Sequence, residues 1–343
     1  MLYSIVIPCY RSDQTIRKVV ELTMKQFETM GLEPEFVLVD DCSPDGGKTV
    51  EQLRSLVRDY ENVRVVELAK NAGQHNAVMA GLNYVRGDVI IAMDDDMQTH
   101  PSQIPILLEE LEKGYDIVYG YYEKKEESPF RNFGSYVNYM TTRILLKKPK
   151  EMKTSSFWVI RRFVRDYAVE YQNAFTHLQG VFLRITRNVS CIPIQHFKRE
   201  VGTSNYTLKK LLQLWSNIIG FSVVPLEWAT GGGVVLAMLG FVLALFTFVH
   251  KLMRPQVQIG YSSLMAALCF FSGVNLFFVG LIGNYIGKIL LGISNNPQFV
   301  VRQVDEHGKK AWVEYPDGVR LEEAARPAEE IKEMKESMQR FAQ

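Results

Sequence analysis

Short apolar runs alternate with longer amphipathic stretches over the first third of the chain. Tyr3–Pro8, Phe36–Val39, Val63–Leu68, Val89–Met93 and Ile117–Tyr119 have the length and β-branched content of buried strands. Between them, Asp13–Met30, Lys48–Asp59, Ala77–Val85 and Ile104–Lys113 show the periodicity of helices with one buried face. Strands separated by helices form crossover units. The order therefore predicts an α/β fold: a mainly parallel sheet with helices on both faces. From Glu123 to Ser222 the pattern is less regular, and within it Arg131–Lys148 is amphipathic and basic at both ends.

The pattern then changes. Thr230–Val249 carries no charge and, at about 20 residues, is long enough to cross a bilayer core. Tyr261–Ile286 is a second uncharged stretch, set off by His250, Lys251, Arg254 and Pro255. An even number of spans returns the chain to the same side. Lys198, Arg199, Lys209 and Lys210 before the spans, with Lys288 and Arg302 after them, favour the cytoplasmic side, against Lys251 and Arg254 in the short loop. Tyr206–Phe221 sets Leu208, Leu211, Leu212 and Trp215 beside Lys209 and Lys210, which suits an interfacial helix. The expected organisation is a cytoplasmic domain over 1–205, an interfacial helix over 206–222, two transmembrane helices within 228–290 and a cytoplasmic tail over 291–343. In that tail Val300–Val304 and Ala311–Val313 read as a small hairpin and Leu321–Gln343 as a charged helix, solvated or oligomerising, with no chemistry assigned.

Composition narrows the classes. The formal net charge of +1 gives no pull toward nucleic acid. Cys9, Cys42, Cys191 and Cys269 are scattered without C-x-x-C spacing, so neither zinc nor a disulfide framework is indicated. Reduced cysteines suit a cytosol-facing body, and Met1–Pro8 reads as a first strand, not a secretory signal.

The candidate chemistry sits where strands end. Asp94-Asp95-Asp96-Met97-Gln98 follows the fourth strand, and ligands of open α/β sheets bind at such carboxyl ends. If strand alternation continues, Asp94 and Asp96 share a face. Two converging carboxylates repel unless a cation lies between them, and oxygen ligands suit Mg²⁺ or Mn²⁺ held jointly with substrate phosphates. Pro8-Cys9-Tyr10-Arg11-Ser12-Asp13, Asp40-Asp41-Cys42-Ser43-Pro44-Asp45-Gly46 and Asn71-Ala72-Gly73-Gln74-His75 close the first three strands in the same way. No G-x-G-x-x-G or Gly-Lys-Ser/Thr is present, so neither a Rossmann dinucleotide site nor a P-loop is supported. His75 sits where it could shape a diphosphate site, whereas His177 and His196 read as ordinary loop or core histidines.

Those motifs, Ile5-Val6-Ile7-Pro8-Cys9-Tyr10, Val39-Asp40-Asp41 and Asp94-Asp95-Asp96-Met97-Gln98, resemble the signatures of family-2 glycosyltransferases with a GT-A fold. Asn71–Ala77, the Arg199–Tyr206 segment and the two uncharged runs are similar to the polyprenyl-phosphate branch of that family. That branch includes dolichol-phosphate mannose synthase, the undecaprenyl-phosphate aminoarabinose transferase and the bactoprenol glucosyltransferases. The resemblance implies a nucleotide-diphosphate sugar donor, with uridine the commonest base, and a polyprenyl phosphate acceptor in a bilayer. It implies donor contacts from Pro8, Tyr10, Asp13, Asp40, Asp41, Gln74, Asp94 and Asp95, with Asp40 on the base and Asp94 near the ribose and diphosphate. Metal ligands would be Asp96 and Gln98. Arg199 would clamp phosphates, with Asp94 and Asp96 in the catalytic set, and Arg131 and Ser135 would meet the lipid phosphate. An inner-membrane homo-oligomer is expected.

Three departures stand out. Cys42 replaces a usual glycine, Asn205 a frequent lysine, and Lys153-Thr154-Ser155-Ser156-Phe157-Trp158 an Asp- and Arg-containing stretch near the sugar pocket. The last puts sugar identity in doubt; Ser155 and Ser156 could bond sugar hydroxyls or serve only their loop. Two rivals stay open. One uses another lipid or lipid-linked glycan as acceptor, which would need a base. The other is an inactive regulatory membrane protein that only binds nucleotide sugar.

Overall fold

The computed structural model describes residues 1–122, 152–173, 176–195, 197, 224–253, 260–293, 297–309, 312–314 and 320–322. Arg131, Ser135, His196, Arg199, Asn205, the 206–221 segment and the tail from 323 lie outside the described residues.

The elements follow the expected alternation. They run β1 (Tyr3–Cys9), α1 (Ile16–Thr29), β2 (Pro34–Asp40), α2 (Lys48–Asp59), β3 (Val63–Leu68), α3 (Gln74–Tyr84), β4 (Val89–Ala92), α4 (Ile104–Glu112) and β5 (Ile117–Tyr122). Then come β6 (Trp158–Arg161), α5 (Arg162–Val169), α6 (Leu178–Ile185), β7 (Val189–Ile194), α7 (Val224–Met253) and α8 (Tyr261–Ile293). Three short strands close the described chain: β8 (Val301–Glu306), β9 (Trp312–Glu314) and β10 (Arg320–Glu322).

One sheet takes the order β10-β9-β8-β3-β2-β1-β4-β6-β5-β7. Its centre, β3-β2-β1-β4, is parallel. β6 enters antiparallel between β4 and β5, and β7 runs parallel to β5. Helices cover both faces, which is why the central strands are mostly apolar and do not alternate. On one face Ile5, Ile7, Phe36, Leu38, Val89 and Ile91 share a core with the buried stripes of α1, α2 and α4. On the other, α3 lies close against the sheet: a Cβ on Gly81 would meet Val6 at 2.5 Å. That glycine brings α3, and Gln74 at its start, down onto the strand ends.

The tail differs from expectation in its placement. β8 and β9 do pair as an antiparallel hairpin, through Val304 and Trp312, but β8 also docks antiparallel on β3. Arg302 pairs with Glu67 at 3.0 Å and so belongs to this sheet edge as well as to the basic flank of the apolar runs. Leu321 and Glu322, read as the start of a helix over Leu321–Gln343, belong instead to a strand, Arg320–Glu322, on β9.

The chain divides into two compact units, one built on the sheet and one containing α7 and α8. These helices are 30 and 33 residues long, with Phe241, Phe246, Leu276 and Val279 among their exposed side chains. Counted over the described residues alone, no helix is long and apolar enough to cross a membrane. The two uncharged runs of the full sequence include side chains outside that description.

Candidate active site

Register brings the four strand-end loops to one edge: Cys9 pairs with Asp40, Asp40 with Glu67, and Val6 with Ala92. Side-chain hydrogen bonds then tie loop to loop. Asp41 is buried and accepts from the Ala72 and Gly73 N–H groups at 2.6 and 2.9 Å, fastening the second loop to the third. Gln74 Nε2 donates to Asp94 at 2.7 Å, fastening the third to the fourth. The Ser12 hydroxyl donates to Asp95, fastening the fourth to the first. Ser12 N–H in turn donates to Thr49 on α2 at 2.9 Å.

Each acid has its own setting. Asp40 is buried and accepts from Ser43 Oγ at 2.6 Å and Ser43 N–H at 3.2 Å. Burial raises its carboxyl pKa, and the Ser43 bonds pull partly against that. Asp41 is likewise raised by burial, opposed by its two backbone donors. Asp95, half-buried, is pushed up to about 6, by burial first and by neighbouring Asp96 as well. Asp41 and Asp95 thus use their oxygens to hold loops together.

The strand pleat that would set Asp94 and Asp96 on one face does not extend to them. β4 ends at Ala92, and the acids lie on a turn that buried Met97 closes at φ 62°. Burial first, and then the charges of Asp94 and Asp96, raise the Tyr122 phenol. Tyr122 donates to the Gln98 carbonyl at 3.4 Å, and Gln98 N–H donates to Asp96 at 3.0 Å. Carboxylate and amide oxygens at this corner match a hard divalent cation. Among the described residues no group of three or more His, Cys, Asp and Glu side chains could hold a metal ion. A cation here would need ligand oxygens to complete its shell.

Three non-glycine residues take a left-handed backbone among those described: Arg11 at φ 60°, Cys42 at φ 51° and Met97 at φ 62°. All three follow the ends of β1, β2 and β4. Such strain collects where the fold over-determines a loop for function. Cys42 thus occupies a left-handed position, where glycine is the default residue.

Pro8 is half-buried in β1, and Asp13 half-buried ahead of α1. Tyr10 is exposed, with the Arg11 guanidinium 5.7 Å from its ring centre. Ser155 serves its loop, donating to the Gly120 carbonyl at 2.5 Å, whereas Ser156 reaches the site and donates to Asp94. His177 caps α6 by accepting from Gly180 N–H at 3.2 Å. His75 lies 5.2 Å from it ring to ring, its pKa pushed down to about 4 by burial, which keeps it neutral.

Ser12, Ser43, Thr99 and Tyr122 complete the site and were not singled out from sequence. Their signal is position: each lies within or opposite a strand-end acid cluster. A cleft of about 260 Å³ opens beside Asp40, lined in part by Ser43, Glu51, Arg54, Glu67 and Arg302. The last of these comes from the tail.

A parallel α/β sheet with acids and strained polar loops gathered at its carboxyl edge defines a ligand-binding enzyme of the doubly wound class. The chain belongs to glycosyl transferase family 2, whose pattern matches residues 4–167, with a GtrB C-terminal hairpin matching residues 225–289. It is a glycosyltransferase. It is 32% identical over 310 residues to the undecaprenyl-phosphate 4-deoxy-4-formamido-L-arabinose transferase of Edwardsiella ictaluri, covering 88% of this chain and 93% of that one. The protein of that name from Proteus mirabilis is 30% identical over 305 residues, with the same shares. Among solved structures, glucosyl-3-phosphoglycerate synthase from Mycobacterium tuberculosis is similar at a TM-score of 0.48 and 17% identity, over 64% of this chain and 76% of that one.

Proposed function

We propose that this enzyme moves a sugar from a nucleotide-diphosphate sugar to a polyprenyl phosphate at the cytoplasmic face of the inner membrane. The observation that carries the reading is the loop-to-loop bonding of the strand-end acids, Gln74 to Asp94 and Ser12 to Asp95, which gathers them at the sheet edge. The names of the relatives supply the acceptor class, undecaprenyl phosphate. The long helices with exposed Phe241 and Leu276 supply the reason for a bilayer setting, α7 and α8 spanning it.

In this reading Asp40 binds the donor base and Asp94, held by Gln74 and Ser156, the ribose–diphosphate region. Asp96 and Gln98 hold Mg²⁺ or Mn²⁺, which neutralises charge on the departing diphosphate when bound. Pro8, Tyr10 and Asp13 line the nucleoside side, and Asp41 and Asp95 keep the loops in place. Arg199 pairs with the leaving phosphates, while Arg131 and Ser135 guide the lipid phosphate. A lipid phosphate oxygen attacks the anomeric carbon opposite the leaving group. The new carbon–oxygen bond forms as the bond to the diphosphate breaks, inverting the centre, and the nucleoside diphosphate leaves with the electron pair. No catalytic base is required, because a phosphate monoester with a second pKa of about 6 is largely dianionic at neutral pH.

The test is a donor screen. Full-length protein in detergent is given Mg²⁺ or Mn²⁺, undecaprenyl phosphate and a panel of nucleotide sugars, and lipid products are read by mass spectrometry. The expected product is undecaprenyl phosphate plus one sugar, lost with EDTA and in Asp96→Ala. Donor turnover only with a different lipid, or donor binding without any turnover, overturns the reading.

A further inference from the structure

The cleft beside Asp40 joins two parts of the chain that are far apart in sequence. One wall is the loop after β2 and the start of α2, carrying Ser43 and Glu51; the other is β3 and β8, carrying Glu67 and Arg302. Glu67 is the hinge of this arrangement. It lies opposite Asp40 in the β2–β3 register and opposite Gln303 in the β3–β8 register. Its carboxylate is divided between two arginines, Oε1 with Arg302 and Oε2 with Arg54, each at 3.0 Å. Arg302 also donates to the Ala69 carbonyl at 3.3 Å, on the chain leading into the third loop. A guanidinium has five N–H donors, so these bonds leave others to meet a ligand.

Size and charge select the occupant. At about 260 Å³ the cleft falls below the range of a whole small-molecule site and fits one end of a larger ligand. Asp40, Glu51 and Glu67 outnumber Arg54 and Arg302 on its lining, so a phosphate is disfavoured there. A neutral heterocycle with ring N–H donors and carbonyl acceptors complements both signs. Resting on the function proposed above, we infer that Arg302 is a specificity-determining residue: the strand that follows α8 forms a wall of the donor-base cleft and selects bases with a carbonyl edge over those with an amino edge. Arg302 donates to that carbonyl. Glu67 keeps the guanidinium in position and acts through it.

The experiment is nucleotide binding by calorimetry on full-length protein in detergent, with uridine, guanosine, cytidine and adenosine diphosphates as probes, alongside donor KM and kcat. Wild type is expected to bind the carbonyl-edge pair more tightly. Arg302→Ala is expected to raise Kd and donor KM about tenfold for that pair, to narrow the discrimination and to leave kcat unchanged. Arg302→Lys should recover part of the preference. Asp305→Ala removes the carboxylate that meets Arg54 at 3.2 Å and pins β8; Asp305 itself does not line the cleft, and base preference should stay intact. Unchanged binding in Arg302→Ala overturns the inference and leaves the proposed function standing. Equal losses in Asp305→Ala and Arg302→Ala also overturn it, because strand docking alone then accounts for the effect. Wild type that binds none of the four nucleotides overturns the underlying functional reading instead.

Discussion

β1 and β8 are strands of one sheet held by opposite means. Six of the seven β1 residues are buried, with apolar neighbours above and below. In β8 only Val304 and Glu306 are buried, and the strand is gripped through charge. Glu306 pairs with Arg64 of β3 and, at 3.0 Å, with Arg86. Asp305 pairs with Arg54, and Arg302 with Glu67. Apolar burial tolerates salt and pH, whereas charge pairs at an edge depend on both partners remaining in place. The cleft beside Asp40 draws on both kinds of strand: Asp40 ends one of the buried strands, and Arg302 arrives on the ionic one.

The comparison can be strained from either side. The largest effect is expected at the buried side's edge: Asp94→Asn should cut turnover about 100-fold or more, with the thermal midpoint unchanged, as product formation and a melting curve would show. The ionic side is expected to yield in stability instead. Glu306→Ala leaves Arg64 buried without its partner and should cost about 3–5 kcal/mol in denaturant unfolding, while Arg64→Met with Glu306→Leu should recover most of it. A loss no larger in Glu306→Ala than at an exposed pair such as Arg58–Glu51 would erase the distinction drawn between the strands. Cys42→Gly should stabilise by about 1 kcal/mol by relieving the left-handed backbone, read from the same unfolding curves.

The smallest effect is a slope. Asp95 in the folded protein keeps its proton up to about pH 6, while in the unfolded chain it titrates near 3.8. Between those values the folded state binds more protons, so stability falls as pH rises through that window. Asp95→Asn should flatten the slope, measured in EDTA as unfolding midpoint against pH.

Much of this was legible. The central strands and their helices emerge from apolar runs and helical period because local pattern and tertiary burial agree there. The acids were legible as a site because each follows such a run. Their division of labour was not. Whether a carboxylate faces ligand or a neighbouring loop is set by contacts such as Asp41 with Ala72 and Ser12 with Asp95, across 31 and 83 residues of sequence. β8 could be read as a strand but not placed. The available clue was chemical: Arg64 and Glu67 interrupt an otherwise apolar buried strand, and a buried charge calls for a partner. Arg302, Asp305 and Glu306 carry the matching and opposing signs in one short strand. Arg302 was instead weighed as a basic flank of the apolar runs, an example of one charge serving a topological argument and a packing one at once.

The docking of β8 has a consequence for synthesis. Glu67 and Arg302 are separated by 235 positions. While the ribosome is still translating the long helices, β3 has its neighbour on one side only, and its other edge stands open, with Arg64 lacking Glu306 and Glu67 lacking Arg302. An open edge is a template for pairing with another chain. A nascent protein stalled or truncated before Val301 would therefore carry a ready aggregation seam and an unfinished cleft beside Asp40. Completion of translation closes both in a single strand addition.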